Sequence, residues 1–196
     1  LHRVDRRQRQ MCIRDRNLRI QRIRAKLQQQ REALAQALEV NRELATRDEL
    51  TGLINRRAML DLMALEHRRS LRSGRPLLLA QLDIDHFKRI NDQYGHATGD
   101  RALQAFAGTV RASVRDTDVL ARWGGEEFVL MLSDTSADHG RELLERIRQA
   151  VQALEIAHSA GTLHLTVSIG LAQHLRGDTV EPVSYTHLTL PTIYSV

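Results

Sequence analysis

Residues 17–46 form the first periodic stretch of the chain, with apolar residues repeating about every 3.5 positions. They occupy the a and d positions of a seven-residue repeat: Ile20, Ile23, Leu27, Leu34, Ala37 and Leu44. Gln30 and Asn41 interrupt this repeat, and a buried Asn at an a position fixes the register of a parallel coiled coil. The pattern predicts a long helix that forms a homodimer through a coiled coil. The alternative is a single amphipathic helix packed on its own domain.

After residue 46 the pattern changes to helices alternating with strands. A helix with apolar positions between Met59 and Leu65 is predicted to end near Gly74, and the apolar run 76–83 is predicted to be a central strand. A short helix over residues 86–94 follows. Thr98 or Asp100 is predicted to cap the next helix, which has these core positions: Leu103, Phe106, Ala107, Val110 and Val114.

Two short β-favouring runs, 119–121 and 128–132, flank Gly124 and Gly125, which predicts a hairpin with this glycine pair as its turn. A further helix is predicted to start at Ser136 and Asp138, and residues 163–170 alternate as a strand. Helices alternating with strands predict an α/β (α+β) fold, in which a mixed central sheet is flanked by helices and preceded by the long helix.

Composition limits the classes of partner. The formal charge of the 196-residue chain is +5, and six arginines with two aspartates place +4 of it in residues 1–16. We therefore expect no nucleic-acid binding by the folded domain. Cys12 is the only cysteine, so an intrachain disulfide is excluded. Because no apolar run is long enough to span a membrane and no signal peptide is recognisable, a cytoplasmic location is expected.

Four acids stand at two places that a sheet can bring together. Asp83 and Asp85 follow the central strand, and Glu126 and Glu127 lie beside the hairpin turn. Clustered carboxylates without His or Cys suit Mg²⁺ or Mn²⁺, and such ions can serve phosphoryl transfer. The pattern indicates a metal-dependent nucleotidyl-transfer site. The alternative is a set of solvated acids at the ends of loops.

Nearby polar groups suit a nucleotide. Lys88 and the backbone amides at the start of the 86–94 helix could serve phosphate oxygens. Asn91 and Asp100 could bind the donor-rich edge of guanine.

Four motifs, spread over residues 47–172, resemble the GGDEF family of diguanylate cyclases. They are Asp48-x-Leu-Thr-Gly-Leu-x-Asn-Arg56, Asp83-x-Asp-x-Phe-Lys-x-x-Asn-Asp-x-x-Gly-His-x-x-Gly-Asp100, Arg122-Trp-Gly-Gly-Glu-Glu-Phe128 and Thr166-Val-Ser-Ile-Gly170. The third motif is the family signature in its Glu variant.

The resemblance implies a palm-like sheet and the condensation of two GTP molecules into cyclic di-GMP with release of pyrophosphate, aided by two Mg²⁺ or Mn²⁺ ions per active site. Asp83, Glu126 and the Ile84 carbonyl would hold metal. Glu127 would bind metal or help to activate the 3′-hydroxyl, whereas Asp85 is expected to be structural. The positions implied to contact GTP are Phe87, Lys88, Asn91, Asp100, Gly124 and Gly125.

The resemblance also has consequences for assembly and regulation. Each domain would hold one GTP, so two domains must face each other, and the coiled coil would control how they meet. Arg115-x-x-Asp118 lies at the family's distance before the signature for a product-inhibition site. Arginine suits bidentate contact with guanine or phosphate, and Asp can bond a guanine edge.

The ends of the chain depart from the family pattern. Residues 1–16 and 183–196 resemble translated adapter sequence and are expected to be foreign, with a divergent natural terminus as the alternative. Residues 17–46 would be a signalling helix. Residues 47–182 would be a catalytic domain that lacks the family's C-terminal helix, whose Lys and Arg contact phosphates.

A second class of function stays open at this point. The domain could be a catalytically inactive module that senses GTP or cyclic di-GMP without making it. Glu126 and Glu127 are both present, which favours the enzyme, because binding-only relatives often lose these acids. The missing helix favours loss of activity.

Overall fold

The structure, a computed structural model, describes residues 19, 21–22, 24–37, 39, 45–158 and 161–173. The chain divides into two compact units, Leu1–Ala45 and Thr46–Val196. The expectations for the terminal segments 1–16 and 183–196 lie outside the described residues. So do the expectations for heptad positions 20, 23, 41 and 44.

In the first unit, residues 24–37 form a helix, α1, as the sequence predicts. Helix-favouring Gln, Arg, Leu and Ala residues dominate this run. Two of its heptad positions, Leu27 and Leu34, are 52% and 60% exposed. The helix is therefore confirmed, and its pairing in a coiled coil stays a prediction.

The second unit alternates strands and helices along the chain. In order, its described elements are β1 (Ile54–Asn55), α2 (Arg56–Ser73), β2 (Leu77–Ile84), α3 (Phe87–Tyr94), α4 (His96–Ser113), β3 (Val119–Gly124), β4 (Glu127–Ser133), α5 (Ala137–Gln152), β5 (Ile156–His158), β6 (Gly161–Leu163) and β7 (Val167–Gln173).

Five of these strands form one mixed sheet in the order β1-β3-β4-β2-β7. The strand β2 pairs antiparallel with both β4 and β7, β3 pairs antiparallel with β4, and β1 pairs parallel with β3. The predicted mixed sheet and the internal position of the 76–83 strand are confirmed. A separate two-stranded sheet consists of β5 and β6.

The two faces of the sheet bury separate apolar clusters because successive side chains of a strand point to opposite faces. One cluster joins Met59 and Met63 of α2 to Leu77 and Leu79 of β2. The other joins the opposite face to α3, α4 and α5, and Phe106 and Phe128 lie in it with ring centroids 4.7 Å apart. Each fully buried large side chain contributes about 1.5–3 kcal/mol.

Local capping explains where two helices begin and end. The Asn55 side chain accepts a hydrogen bond from the Ala58 N–H at 3.0 Å, which starts α2. That helix ends at Gly74, which has the left-handed conformation that favours glycine (φ 71°). The end predicted near Gly74 is confirmed. The start of α5 predicted at Ser136 is also confirmed, and the Ser136 side chain caps it by accepting from the His139 N–H.

Two boundaries differ from the prediction. Neither Thr98 nor Asp100 caps α4, because that helix begins at His96, directly after Gly95 ends α3. The predicted strand over residues 163–170 is divided between two sheets, since Leu163 ends β6 and Val167 begins β7. Buried Leu165 lies between them.

Candidate active site

The register of the sheet brings the predicted acids together. Asp83, near the end of β2, lies directly opposite Glu127, the first residue of β4. The Ile84 N–H donates to the Glu126 carbonyl oxygen at 3.3 Å, so the backbone after β2 is joined to the hairpin turn. Acids that are more than 40 positions apart in sequence therefore share one edge of the sheet.

The hairpin turn lies one residue later than predicted. Gly124 belongs to β3 and pairs with Glu127, so the turn consists of Gly125 and Glu126. Gly125 takes a positive φ of 49°, and an irregularity in the pairing lies between Arg122 and Gly124. The shift places Glu126 in the turn and Glu127 at the start of a strand, so the two acids have different backbone settings.

Asp83 is costly to ionise in this setting. Burial raises the pKa of the Asp83 carboxyl above its usual value of 3.8, and the charges of Glu126, Glu127 and Asp85 raise it further. A cation between these groups would reverse the effect, because it favours the charged form. The charge pattern therefore fits a divalent metal ion.

The ligand set is incomplete without other oxygens. Within the described part of the chain, no three His, Cys, Asp or Glu side chains form a group that could hold a metal ion by themselves. Proteins usually bind Mg²⁺ through one or two carboxylates together with substrate phosphates. Ile84 directly follows Asp83 in the chain, and the use of its carbonyl as a further ligand stays a prediction.

Asp85 has a separate role, as the sequence analysis expects. Its carboxylate accepts a hydrogen bond from the Ser168 hydroxyl at 2.6 Å, and its N–H donates to the Thr166 carbonyl at 3.0 Å. These bonds join the end of β2 to the start of β7. Asp85 is therefore a structural link.

Arg122 joins the turn of the signature hairpin to the first of the four motifs, residues 48–56. Its Nε and one terminal nitrogen donate to the Gly125 carbonyl at 3.1 and 2.9 Å, and the other terminal nitrogen donates to both Asp48 oxygens. Thr51 also bonds Asp48 through its N–H and its hydroxyl. Burial alone would raise the pKa of Asp48, but these hydrogen bonds and the Arg122 charge outweigh burial and lower it.

A second contact joins the same two motifs. The Arg56 guanidinium lies over the Trp123 ring, 4.9 Å from its centroid, and Asn55 pairs with Arg122 between β1 and β3. Both motifs are visible in the sequence, but their contact is not.

The short helix α3 begins from a strained residue. His86 has a positive φ of 57°, which is uncommon for any residue other than glycine. The Phe87 side chain is buried in the core, so its backbone N–H is the group that could serve a phosphate. Lys88 is exposed, as a phosphate-binding side chain must be.

The two residues predicted to read guanine come from adjacent helices. Asn91 lies on α3, and its Oδ1 is so close to Gly99 on α4 that a Cβ built on Gly99 would be 2.0 Å away. Asp100 follows Gly99 directly and is exposed. A Cβ at position 99 would therefore displace the Asn91 amide from this place.

The predicted product-inhibition pair forms a turn. The Asp118 Oδ2 accepts a hydrogen bond from the Arg115 N–H at 3.0 Å. Asp118 is 3% exposed, and its Oδ1 is buried without a partner among the described residues. The Arg115 side chain is exposed and lines a cavity of about 640 Å³.

Further basic side chains, which the sequence does not predict, line that cavity. His139, Arg141 and Arg146 of α5 line it together with Arg115. They lie more than 20 positions beyond Arg115, and nothing in their local spacing distinguishes them from other exposed helix residues. Packing of α5 on α4, the helix that ends at Ser113 just before Arg115, brings them there.

Among the helices of the described part of the chain, none is long and apolar enough to cross a membrane.

Comparison with known proteins gives consistent matches. Residues 45–184 match the family described as diguanylate cyclase, GGDEF domain. The chain is 46% identical to diguanylate cyclase DgcP of Pseudomonas aeruginosa over 145 residues, which cover 74% of this chain and 22% of DgcP. The chain thus spans about a fifth of that relative.

Two solved structures are similar. One contains the coiled coil and GGDEF domain of DgcB from Caulobacter crescentus in complex with c-di-GMP; its TM-score is 0.75 at 32% identity, over 79% of this chain and 83% of that one. The other contains diguanylate cyclase SiaD with its activator SiaC from Pseudomonas aeruginosa. Its TM-score is 0.69 at 39% identity, over 87% of this chain and 64% of that one.

Proposed function

The chain belongs to the GGDEF family, and from this we propose that it is a diguanylate cyclase, which condenses two GTP molecules into cyclic di-GMP and releases pyrophosphate. One observation carries the proposal: Asp83 lies opposite Glu127 in the sheet, with Glu126 in the adjoining turn. Burial and the charges of Glu126, Glu127 and Asp85 raise the pKa of Asp83, so this place suits a reaction that needs divalent cations.

Asp83, Glu126 and the Ile84 carbonyl would hold two Mg²⁺ or Mn²⁺ ions together with GTP oxygens, and Glu127 would bind metal or assist the 3′-hydroxyl. The ions, when bound, supply charge stabilisation to the phosphates and favour the ionised 3′-hydroxyl. The carboxylates fix where those charges sit. Glu127, at the start of a strand, is held more firmly than a residue of an open loop.

The rest of the site would orient the nucleotide. Asn91 and Asp100 would bind the guanine edge, which explains why Gly99 leaves room for the Asn91 amide. Lys88 and the backbone N–H groups of residues 86–88 would face the triphosphate. Gly124 and Gly125 would let GTP approach the backbone of the turn, because neither carries a side chain there.

Two chains would be needed for each turnover, since each domain would bind one GTP. Homodimerisation through the N-terminal helix would supply this pairing. The exposure of Leu27 and Leu34 at heptad positions supports it, because apolar seam positions are buried only when a second helix packs on them.

Product inhibition would act through Arg115 and Asp118. Three arginines, Arg115, Arg141 and Arg146, line the cavity together with the acids Asp118, Glu142 and Glu145. The arginines suit the phosphates of a cyclic dinucleotide, and the acids can accept from guanine edges. Cyclic di-GMP bound there would lower the rate of its own synthesis.

The test is an assay of the purified chain with GTP and Mg²⁺ that measures cyclic di-GMP and pyrophosphate together. Wild-type protein is expected to form both, and Glu127→Gln is expected to form neither while keeping its melting temperature. A chain that binds GTP but forms no product would instead be the sensory module. Full turnover by Glu127→Gln would contradict the proposed metal site.

A further inference from the structure

Gln81 is the first polar residue on a strand face that begins with apolar residues. On the α2 side of the sheet, β2 presents Leu77, Leu79, Gln81 and Asp83 in turn. Leu77 and Leu79 belong to the apolar cluster with α2, and Asp83 belongs to the acids. Gln81 therefore stands at the boundary between the apolar cluster and the candidate active site.

The register directs the Gln81 amide toward Glu127. Val129 lies directly opposite Gln81 on one side, and Gly170, which has no side chain, lies opposite on the other. Glu127 is two residues from Val129 on the same strand face, so it is the diagonal neighbour of Gln81. The Gln81 Nε2 donates to the Glu127 Oε1 at 3.4 Å.

This contact opposes the forces that act on Glu127. The negative charges of Glu126 and Asp83 repel its carboxylate, and a Glu side chain has several rotatable bonds through which it can turn away. Across the described residues, the Gln81 amide is the side-chain donor that bonds this carboxylate. An amide donates a hydrogen bond without adding a charge that would compete with a metal ion.

We propose that Gln81 is a positioning residue, which holds the Glu127 carboxylate in the orientation that binds the metal ions with GTP. The inference rests on the proposed function, because it gives that same site a further component. Gln81 does not touch GTP in this role. Its hydrogen bond favours the one orientation of the Glu127 carboxylate that binds the metal.

A purely structural role gives a different expectation. If Gln81 only filled space between the sheet and α2, a methionine of similar length would replace it without loss, because it would extend the apolar cluster. The substitution Gln81→Met removes the donor and keeps the volume. Leu79→Met is the matched control, since it lies two residues away on the same strand face and in the apolar cluster.

The experiment measures both metal binding and turnover on the full chain. Mn²⁺ with GTP is the metal probe, and its binding is followed by electron paramagnetic resonance. We expect Gln81→Met to weaken Mn²⁺ binding about tenfold and to lower kcat by a similar factor, as loss of a partner of a metal ligand does. The KM for GTP should stay within about twofold of wild type, because the guanine and phosphate contacts are untouched. Leu79→Met should change none of these quantities.

Each outcome decides the inference. Mn²⁺ binding and kcat unchanged in Gln81→Met would overturn it. Equal losses in Gln81→Met and Leu79→Met, accompanied by a lower Tm, would also overturn it, because they would indicate a packing role. A wild-type chain that forms no cyclic di-GMP would defeat the proposed function alone, and Mn²⁺ affinity would still decide the role of Gln81. A wild-type chain that binds no Mn²⁺ would overturn both.

Discussion

One terminal nitrogen of Arg122 donates to both carboxylate oxygens of Asp48, at 3.2 and 3.1 Å, although 74 positions separate the two residues. The rest of the guanidinium binds the Gly125 carbonyl. The pair is well shielded, with side chains 15% and 22% exposed. The Arg122 side chain thus joins the loop at Asp48 to the turn of the signature hairpin.

Asp48→Asn should lower the free energy of unfolding by about 1–2 kcal/mol at neutral pH, because a charge-assisted bond to Arg122 is lost. Urea denaturation measures this. The control is Asp134→Asn, which breaks the exposed Arg75 pair and should cost at most about 0.5 kcal/mol. Equal effects of the two substitutions would show that burial of the Asp48 pair does not matter.

The same variant should show a pH dependence. The pKa of Asp48 is lowered in the folded protein, so its carboxylate stabilises the fold above its usual pKa of 3.8 and loses this effect as pH falls through the folded value. The stability difference between wild type and Asp48→Asn should therefore shrink below about pH 4. A difference that stays constant into the acid range would exclude the carboxylate charge as its source.

Asp83→Asn should stabilise the metal-free protein while abolishing turnover. The pKa of Asp83 is raised in the folded protein. At a pH above this raised pKa, the ionised Asp83 carboxylate therefore lowers the free energy of unfolding. The loss is relieved as the pH falls through the raised pKa and the group becomes protonated. We expect Tm at pH 7 to rise by about 2–4 °C, a modest gain because solvent screens the partly exposed group. The exposed Asp61→Asn is the control. Scanning calorimetry with and without Mg²⁺ checks this, and a lower Tm would contradict it.

Gly99→Ala should weaken GTP binding with little effect on folding. The new methyl would meet the Asn91 amide, a movable group that would turn away and lose its place against guanine. It would also lie 3.2 Å from the Phe87 Cζ, so that ring would shift by a few tenths of an ångström. The expected rise in KM is about tenfold, the value of one lost hydrogen bond to the base. Gly108→Ala on the same helix is the control, because its Cβ would meet no atom within 4 Å. Equal KM values for both variants would argue against Asn91.

Arg115→Ala should relieve inhibition by cyclic di-GMP without raising the KM for GTP. Loss of a charge-assisted contact to phosphate or guanine should raise the inhibition constant about ten- to a hundredfold. A titration of the initial rate with product measures it, with Arg68→Ala on α2 as the control. An unchanged inhibition curve would mean that Arg115 is an ordinary surface residue.

The sequence predicts the fold class and the main elements because apolar periodicity follows directly from burial. Boundaries depend on backbone detail that periodicity does not contain. The start of α4 shows this: the Thr98 and Gly99 N–H groups bond the Gly95 carbonyl, so the helix begins without the side-chain cap that the prediction assumed. One glycine ends one helix and starts the next.

Local motifs predict which residues gather at the candidate site, but not what holds them. The turn shifted by one residue because the pairing is irregular between Arg122 and Gly124. The Gln81 contact with Glu127 depends on strand register across 46 positions. Contacts of this kind arise from long-range pairing, which no local spacing in a single sequence reveals.

Trp123 is the only tryptophan in the chain, and it adjoins Gly124 at the point where Arg56 covers its ring. An indole ring is fluorescent, and a cation at its face alters the emission. The protein therefore carries a native optical reporter at the hairpin, which needs no added label. If GTP is added stepwise and the Trp123 emission is recorded, the change in emission follows the signature turn in solution.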